Sequence, residues 1–217
     1  GSWSQQAYVK ASNTGGGDVF GSTVALSGDG NTLAVGAPRE DSSLTGVTAG
    51  AVDEVTSGNG ALESGAAYVY TRGAGAWSQQ AYVKASNAQG GDRFGFCLSL
   101  SGDGNTLAVC GHDEDGGATG VNGPQNEEAG GSGAAYVFVR RGTAWSQEAY
   151  VKASNTAPNA AMGSSIALSG DGNTLAVGSA DEDSLSPGID GDQHYTPVNE
   201  GSAGAIYVYG RTNGVWV

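Results

Sequence analysis

The sequence predicts an all-β chain made of three consecutive copies of one unit, and three observations carry that reading. Three blocks recur in the same order. Trp3 to Asn13 returns as Trp77 to Asn87 and as Trp145 to Asn155, with Glu148 in place of the second Gln. Leu26 to Val35 returns as Leu100 to Val109 and Leu168 to Val177, and Gly65 to Tyr70 returns as Gly133 to Phe138 and Gly204 to Tyr209. Collinear repetition of this kind marks units that bury their apolar faces against their neighbours. Within the blocks Val, Leu, Ile and Tyr alternate with Ala, Thr and Ser, the period-two pattern of a pleated strand. Finally, 39 of the 217 residues are glycine and no stretch has helical periodicity.

Each copy holds four runs able to form strands. In the first copy they fall near 22–27, 32–37 and 66–71, and the fourth near 6–12, whose equivalent in the next copy is 80–86. The repeat cores are 14–86, 88–154 and 156–217, with 3–13 left over as a spare outer strand within a single domain, 1–217. The last copy ends at Trp216, in the place of Trp77 and Trp145, and so lacks its own outer strand.

Between the first two strands of each copy stand Asp29-Gly30, Asp103-Gly104 and Asp171-Gly172. Asp-Gly favours a two-residue hairpin turn with φ > 0 at both positions. Centring the second hairpin on Asp103-Gly104 pairs Leu100 with Leu107, Leu98 with Val109 and Cys97 with Cys110. The two cysteines then face each other, which suits a hairpin disulfide; two small buried thiols filling space are the alternative.

Phe20-Gly21, then Leu33-Ala34-Val35-Gly36-Ala37-Pro38, then Gly65-Ala66-Ala67-Tyr68-Val69-Tyr70 resemble one FG-GAP repeat, the blade unit of integrin α-subunit propellers and of many bacterial surface or secreted proteins. Copy two keeps Phe94-Gly95 but has Val109-Cys110-Gly111-His112 at the GAP signature. Copy three has Met162-Gly163 and Val177-Gly178-Ser179-Ala180. The resemblance implies a β-propeller with three four-stranded blades per chain. Propellers close with 4–8 blades, so the expected state is a six-bladed homodimer, in which each N-terminal strand completes the partner's third blade. A nine-bladed homotrimer is the runner-up, and a truncated, open three-blade arc ranks below it.

Calcium-binding members of the family carry D-x-[DN]-x-D-G-x-x-D between the first two strands. Here Ala25, Ser27 and Leu33, and their equivalents Ser99, Ser101, Leu107, Ala167, Ser169 and Leu175, stand at the other ligand positions. One carboxylate per loop cannot supply the 6–8 oxygens Ca²⁺ takes, so these loops read as plain hairpins. A second acidic set follows the second strand: Glu40 and Asp41, Glu114 and Asp115, Glu182 and Asp183. Each pair opens a connection longer than the ~12–15 residues of a passive loop. These six residues are candidate ligands for Ca²⁺; alternatively they are acids that tie down the loop by accepting backbone hydrogen bonds.

The formal charge of -13 argues against nucleic acid or an anionic membrane as partner, and no apolar run is long enough to span a bilayer. His112 and His194 are the only imidazoles and sit in neither a metal nor a nucleophile motif, so no enzymatic activity is expected. The recurrence of Tyr8, Tyr68, Trp77, Tyr136, Trp145 and Tyr207 points to packing between blades. The expected function is that of a non-enzymatic binding or adhesion module with a protein or glycan ligand. The alternatives are a structural self-assembling unit and a lectin-like propeller in which exposed tryptophans stack on sugars. The natural home expected is extracellular, periplasmic or the cell surface.

Overall fold

The computed structural model describes residues 1–194 and 202–217. In chain order the first repeat contributes β1 (Thr23–Leu26), β2 (Thr32–Ala37), β3 (Val47–Ala49), the short helix α1 (Glu54–Ser57), β4 (Ala66–Gly73) and β5 (Ala76–Val83). The second supplies β6 (Phe94–Leu100), β7 (Thr106–Gly111), β8 (Ala134–Arg141) and β9 (Ala144–Val151). The third supplies β10 (Met162–Leu168), β11 (Thr174–Ser179), β12 (Ala205–Thr212) and β13 (Val215–Trp216).

These strands form three separate antiparallel sheets, ordered β1-β2-β4-β5-β3, β6-β7-β8-β9 and β10-β11-β12-β13. All are open, and none closes into a ring. The closed propeller expected from the resemblance is therefore corrected to three open sheets packed in succession. The four-strand count also fails in the first repeat, where β3, from the long connection, adds to β5 through Val47↔Val83 and Thr48↔Tyr82. In the second repeat the same contact shrinks to the bridge Val121↔Val151.

The spare outer strand is a second correction. Residues 3–13 form no strand, and the segment packs on its own repeat through Gln6, Lys10 and Asn13. Strand exchange, and with it the six-bladed dimer and nine-bladed trimer, loses the element on which it rested. Tyr8 falls with it: it is 80% exposed, whereas Tyr68, Tyr82 and Tyr136 are fully buried.

The hairpin register follows the Asp-Gly centre. Leu26 pairs with Leu33, Leu100 with Leu107 and Leu168 with Leu175. The turn itself is wider than two residues. Ser27 and Thr32 close it, with only Gly30 at positive φ (67°), while the Asp29 carboxylate accepts from Ser27 Oγ, Asn31 N–H and Asn31 Nδ2. Those bonds hold Asp29 down at about pKa 2, led by the Ser27 hydroxyl. Asp103-Gly104 and Asp171-Gly172 repeat the arrangement. In the second hairpin the ladder is irregular between Phe94 and Leu98, yet Cys97 and Cys110 are joined as a disulfide with Cα atoms 5.2 Å apart.

Neighbouring repeats meet through backbone as well as side chains. Gly65 forms a parallel bridge with Phe94, and Gly133 with Met162. Both glycines have positive φ, and a Cβ on either would collide with the facing carbonyl, so only glycine fits. At the hairpin tips Gly28 N–H donates to Gly102 O, and Gly102 N–H to Gly170 O, both at 2.8 Å. One apolar cluster fills the space between sheets one and two, built on Val69, Val83, Leu98, Val109 and Phe138. A second lies between sheets two and three, on Val137, Val151, Leu175, Val177 and Tyr209.

Candidate functional site

The long connection after the second strand of each repeat is closed at its neck by one glutamate. Glu40 follows β2, and its carbonyl accepts from Gly65 N–H at 2.8 Å, just before β4. Glu114 and Gly133 do the same at 2.8 Å, and Glu182 and Gly204 at 2.9 Å. The glutamate side chain turns inward. Glu40 is 2% exposed; its Oε1 accepts from Asn13 Nδ2 (2.8 Å) and its Oε2 from Lys84 Nζ (2.9 Å) and Ser42 N–H (3.1 Å). Glu114 repeats this with Asn87 Nδ2 (2.9 Å), Lys152 Nζ (2.7 Å) and Gly116 N–H (3.0 Å), and adds the Tyr150 hydroxyl (2.7 Å). Lys84 and Lys152 are themselves fully buried and donate onward to Ser64 and Ser132 Oγ. Burial pulls both ammonium pKa values down, against the opposing pull of the glutamates.

The asparagine completes the set. Its side-chain oxygen accepts from a third-strand tyrosine: Tyr68 to Asn13 (2.8 Å), Tyr136 to Asn87 (2.7 Å), and Tyr207 to Asn155. Burial pushes these phenols upward, Tyr207 to about 12, so they stay protonated donors. In the third repeat Glu182 accepts from Asn155 Nδ2 (2.8 Å) and Ser184 Oγ (2.9 Å), with no lysine among the described residues beside it.

These contacts decide between the two readings of the acidic pairs. Both oxygens of Glu40 and of Glu114 are taken by N–H or O–H donors, one of them an ammonium, so neither carboxylate is free for Ca²⁺. Asp41 Oδ1 accepts from Glu63 N–H (2.8 Å) and Asp115 Oδ1 from Gly131 N–H (2.7 Å), tying each loop to its own far side. Asp183 is half-buried. Among the described residues no three His, Cys, Asp or Glu side chains converge as a metal site. The donor set does not fit calcium.

The tryptophans are clasps. Trp77 Nε1 and Arg72 both donate to Gln6 Oε1, Trp145 and Arg140 to Gln80 Oε1, and Trp216 and Arg211 to the Glu148 carboxylate. Each guanidinium lies over its tryptophan ring at 5.3–5.9 Å. Trp145 and Trp216 are buried and Trp77 half-buried, all engaged with the preceding repeat's block.

The sequence reading missed Lys84, Lys152 and the asparagines. Their signal was present: a lysine recurring inside the apolar run Tyr-Val-Lys-Ala is out of place on a buried strand unless a buried anion awaits it.

The FG-GAP repeat model matches residues 3–70 and 77–138. The chain belongs to the FG-GAP repeat family. The third repeat lies beyond the match, consistent with Met162 in place of the motif's Phe and Ser179-Ala180 where the first repeat has Ala37-Pro38. No curated protein matches the chain. No helix of the described residues is long and apolar enough to cross a membrane.

Proposed function

We propose that this protein is a non-enzymatic binding module whose recognition surface is the set of long connections after β2, β7 and β11. The observation that carries this reading is the neck. A buried glutamate closes the neck of all three connections, and in the first two a further aspartate binds the loop internally, so those two are held without a metal. Preorganised loops lose little entropy on binding. The first and third loops also present isolated apolar side chains to solvent, Val55 and Leu62, and Leu185 and Ile189. The buried carboxylates of Glu40 and Glu114 hold the first two loops at their necks. Loops carried on a sheet scaffold are where binding residues usually reside. The Cys97–Cys110 bridge supports an extracellular, periplasmic or cell-surface home.

The test is binding to an immobilised panel of glycans and purified surface and matrix proteins, with Val55→Ser/Leu62→Ser and Leu185→Ser/Ile189→Ser variants beside the wild type. A ligand whose binding falls at least tenfold in either variant, at unchanged melting temperature, supports the reading. Ligand binding indifferent to both pairs, or a blank panel in EDTA and in calcium alike, counts against it.

A further inference from the structure

We propose that two side-chain amide crosslinks form spontaneously within this protein, Lys84 to Asn13 and Lys152 to Asn87, with Glu40 and Glu114 as the proton carriers. The geometry gathers the groups of an amine–carboxamide reaction around one carboxylate. The nucleophile and the leaving group are held by the two oxygens of one carboxylate: Lys84 Nζ on Oε2 at 2.9 Å and Asn13 Nδ2 on Oε1 at 2.8 Å. The second repeat has Lys152 Nζ at 2.7 Å and Asn87 Nδ2 at 2.9 Å on Glu114. The acceptor carbonyl is polarised by a phenol, Tyr68 on Asn13 Oδ1 and Tyr136 on Asn87 Oδ1, placed where negative charge develops. Lys84, Lys152, Tyr68 and Tyr136 are at zero exposure and both glutamates at 2% or less; Asn13 is buried as well, and Asn87 is half-buried. Burial favours the neutral amine over the ammonium and pulls both lysines down, against the opposing pull of the glutamates.

The step balances without oxidant or reductant. Glu40 takes one proton from the Lys84 ammonium, and the free amine attacks Asn13 Cγ. A C–N bond forms and charge collects on Oδ1 against the Tyr68 hydroxyl. Glu40 passes its proton to Nδ2, the Cγ–Nδ2 bond breaks, and ammonia leaves. The carboxylate then takes the second proton from the new amide nitrogen and yields it to the ammonia, so the pair Lys-NH₃⁺ and Asn-CONH₂ becomes one secondary amide plus NH₄⁺, with Glu40 ionised as before. Glu40 and Glu114 are catalytic here in the strict sense, because they touch both reacting nitrogens. Tyr68 and Tyr136 touch the reacting oxygens. In the third repeat Asn155, Glu182 and Tyr207 are assembled with no lysine beside them among the described residues.

The intact mass of reduced, denatured full-length protein tests this. Wild type is expected to be two ammonia lighter than its sequence, with branched peptides joining Lys84 to Asn13 and Lys152 to Asn87. Glu40→Gln should recover one ammonia and keep the Lys152 branch; Glu114→Gln should do the reverse. Lys84→Arg keeps a cation beside Glu40 and guards against loss of fold, and it too should recover one ammonia. Wild-type protein that melts cooperatively yet has its full sequence mass would overturn the proposal. So would an ammonia loss that maps to Asn-Gly steps, such as Asn59-Gly60, with no branched peptide.

Discussion

Residues 3–13 and 77–87 have the same eleven-residue sequence and different structures. In the second copy Trp77 to Val83 lies within β5, paired with β4 on one side and β3 on the other, with Tyr82, Lys84 and Ala85 fully buried. In the first copy the segment has no strand beside it; Tyr8 and Lys10 face solvent, and the backbone forms no ladder. Yet the contacts made toward the following repeat are the same. Gln6 and Gln80 each accept from a tryptophan and an arginine, and Asn13 and Asn87 each bridge a tyrosine to a glutamate. The block thus has two separable halves of function. Side chains that look forward need only the next repeat, whereas strand formation and burial of the lysine need the previous one. β-structure here is a property of the neighbour, not of the eleven residues.

The largest expected effect tests the lysine. Lys84→Met leaves Glu40 buried with neither its cation nor the proposed crosslink to Asn13 and should cost at least about 3–5 kcal/mol, while Lys10→Met should stay within about 0.5 kcal/mol; urea unfolding of the two variants measures both. Equal losses would break the comparison. Asparagine should show the opposite pattern. Asn13→Ala and Asn87→Ala each remove a bond to a buried carboxylate together with the proposed crosslink, at a cost of at least about 1.5–3 kcal/mol, and the two values should agree although their flanking segments differ in structure.

The acid that follows each segment sharpens the contrast further. Burial raises both Asp18 and Asp92, and Asp92, under the true strand, reaches about 7 against 3.8. The folded protein therefore holds this proton after the unfolded chain has released it. Asp92 contributes its full stability below about pH 4 and loses it as pH rises toward 7, with a slope of at most about 1.4 kcal/mol per pH unit. Asp92→Asn should flatten that slope in urea melts taken from pH 4.5 to 8, because the amide oxygen can still accept from Gln89 N–H. Asp18→Asn should flatten it less. Smallest is the clasp: Gln80→Ala should cost about 1 kcal/mol and the more exposed Gln6→Ala less than half of that, read as melting-temperature shifts.

Much of this architecture could be read directly. The Leu26↔Leu33 register follows from placing Asp29-Gly30 at a turn, and the same count brought Cys97 opposite Cys110. The turn type did not follow, because the Ser27 hydroxyl and Asp29 carboxylate, not a pair of positive φ values, close the loop. Ring closure was inferred from resemblance, and nothing in the residues themselves encoded it. The site was half legible. Glu40 and Glu114 stood out as acids opening long loops, but their partners lie 44 and 38 residues further along, and a carboxylate that meets an ammonium looks in sequence like one that meets a metal. Tyr8 was misjudged because repetition was taken to imply equal surroundings.

The glycines at the hairpin tips set the joint between modules. Gly28 donates its N–H to Gly102, and Gly102, which accepts on its carbonyl, donates its own N–H to Gly170. Gly102 therefore carries both halves of the coupling, a plug facing one way and a socket the other, in main-chain atoms. A Cβ at Gly28 or Gly102 would press on the next carbonyl at 3.1 or 3.0 Å, so any side chain there makes the neighbouring tip give way. Duplication or loss of a whole unit during evolution leaves a working joint at once, because the new neighbours already carry the complementary ends.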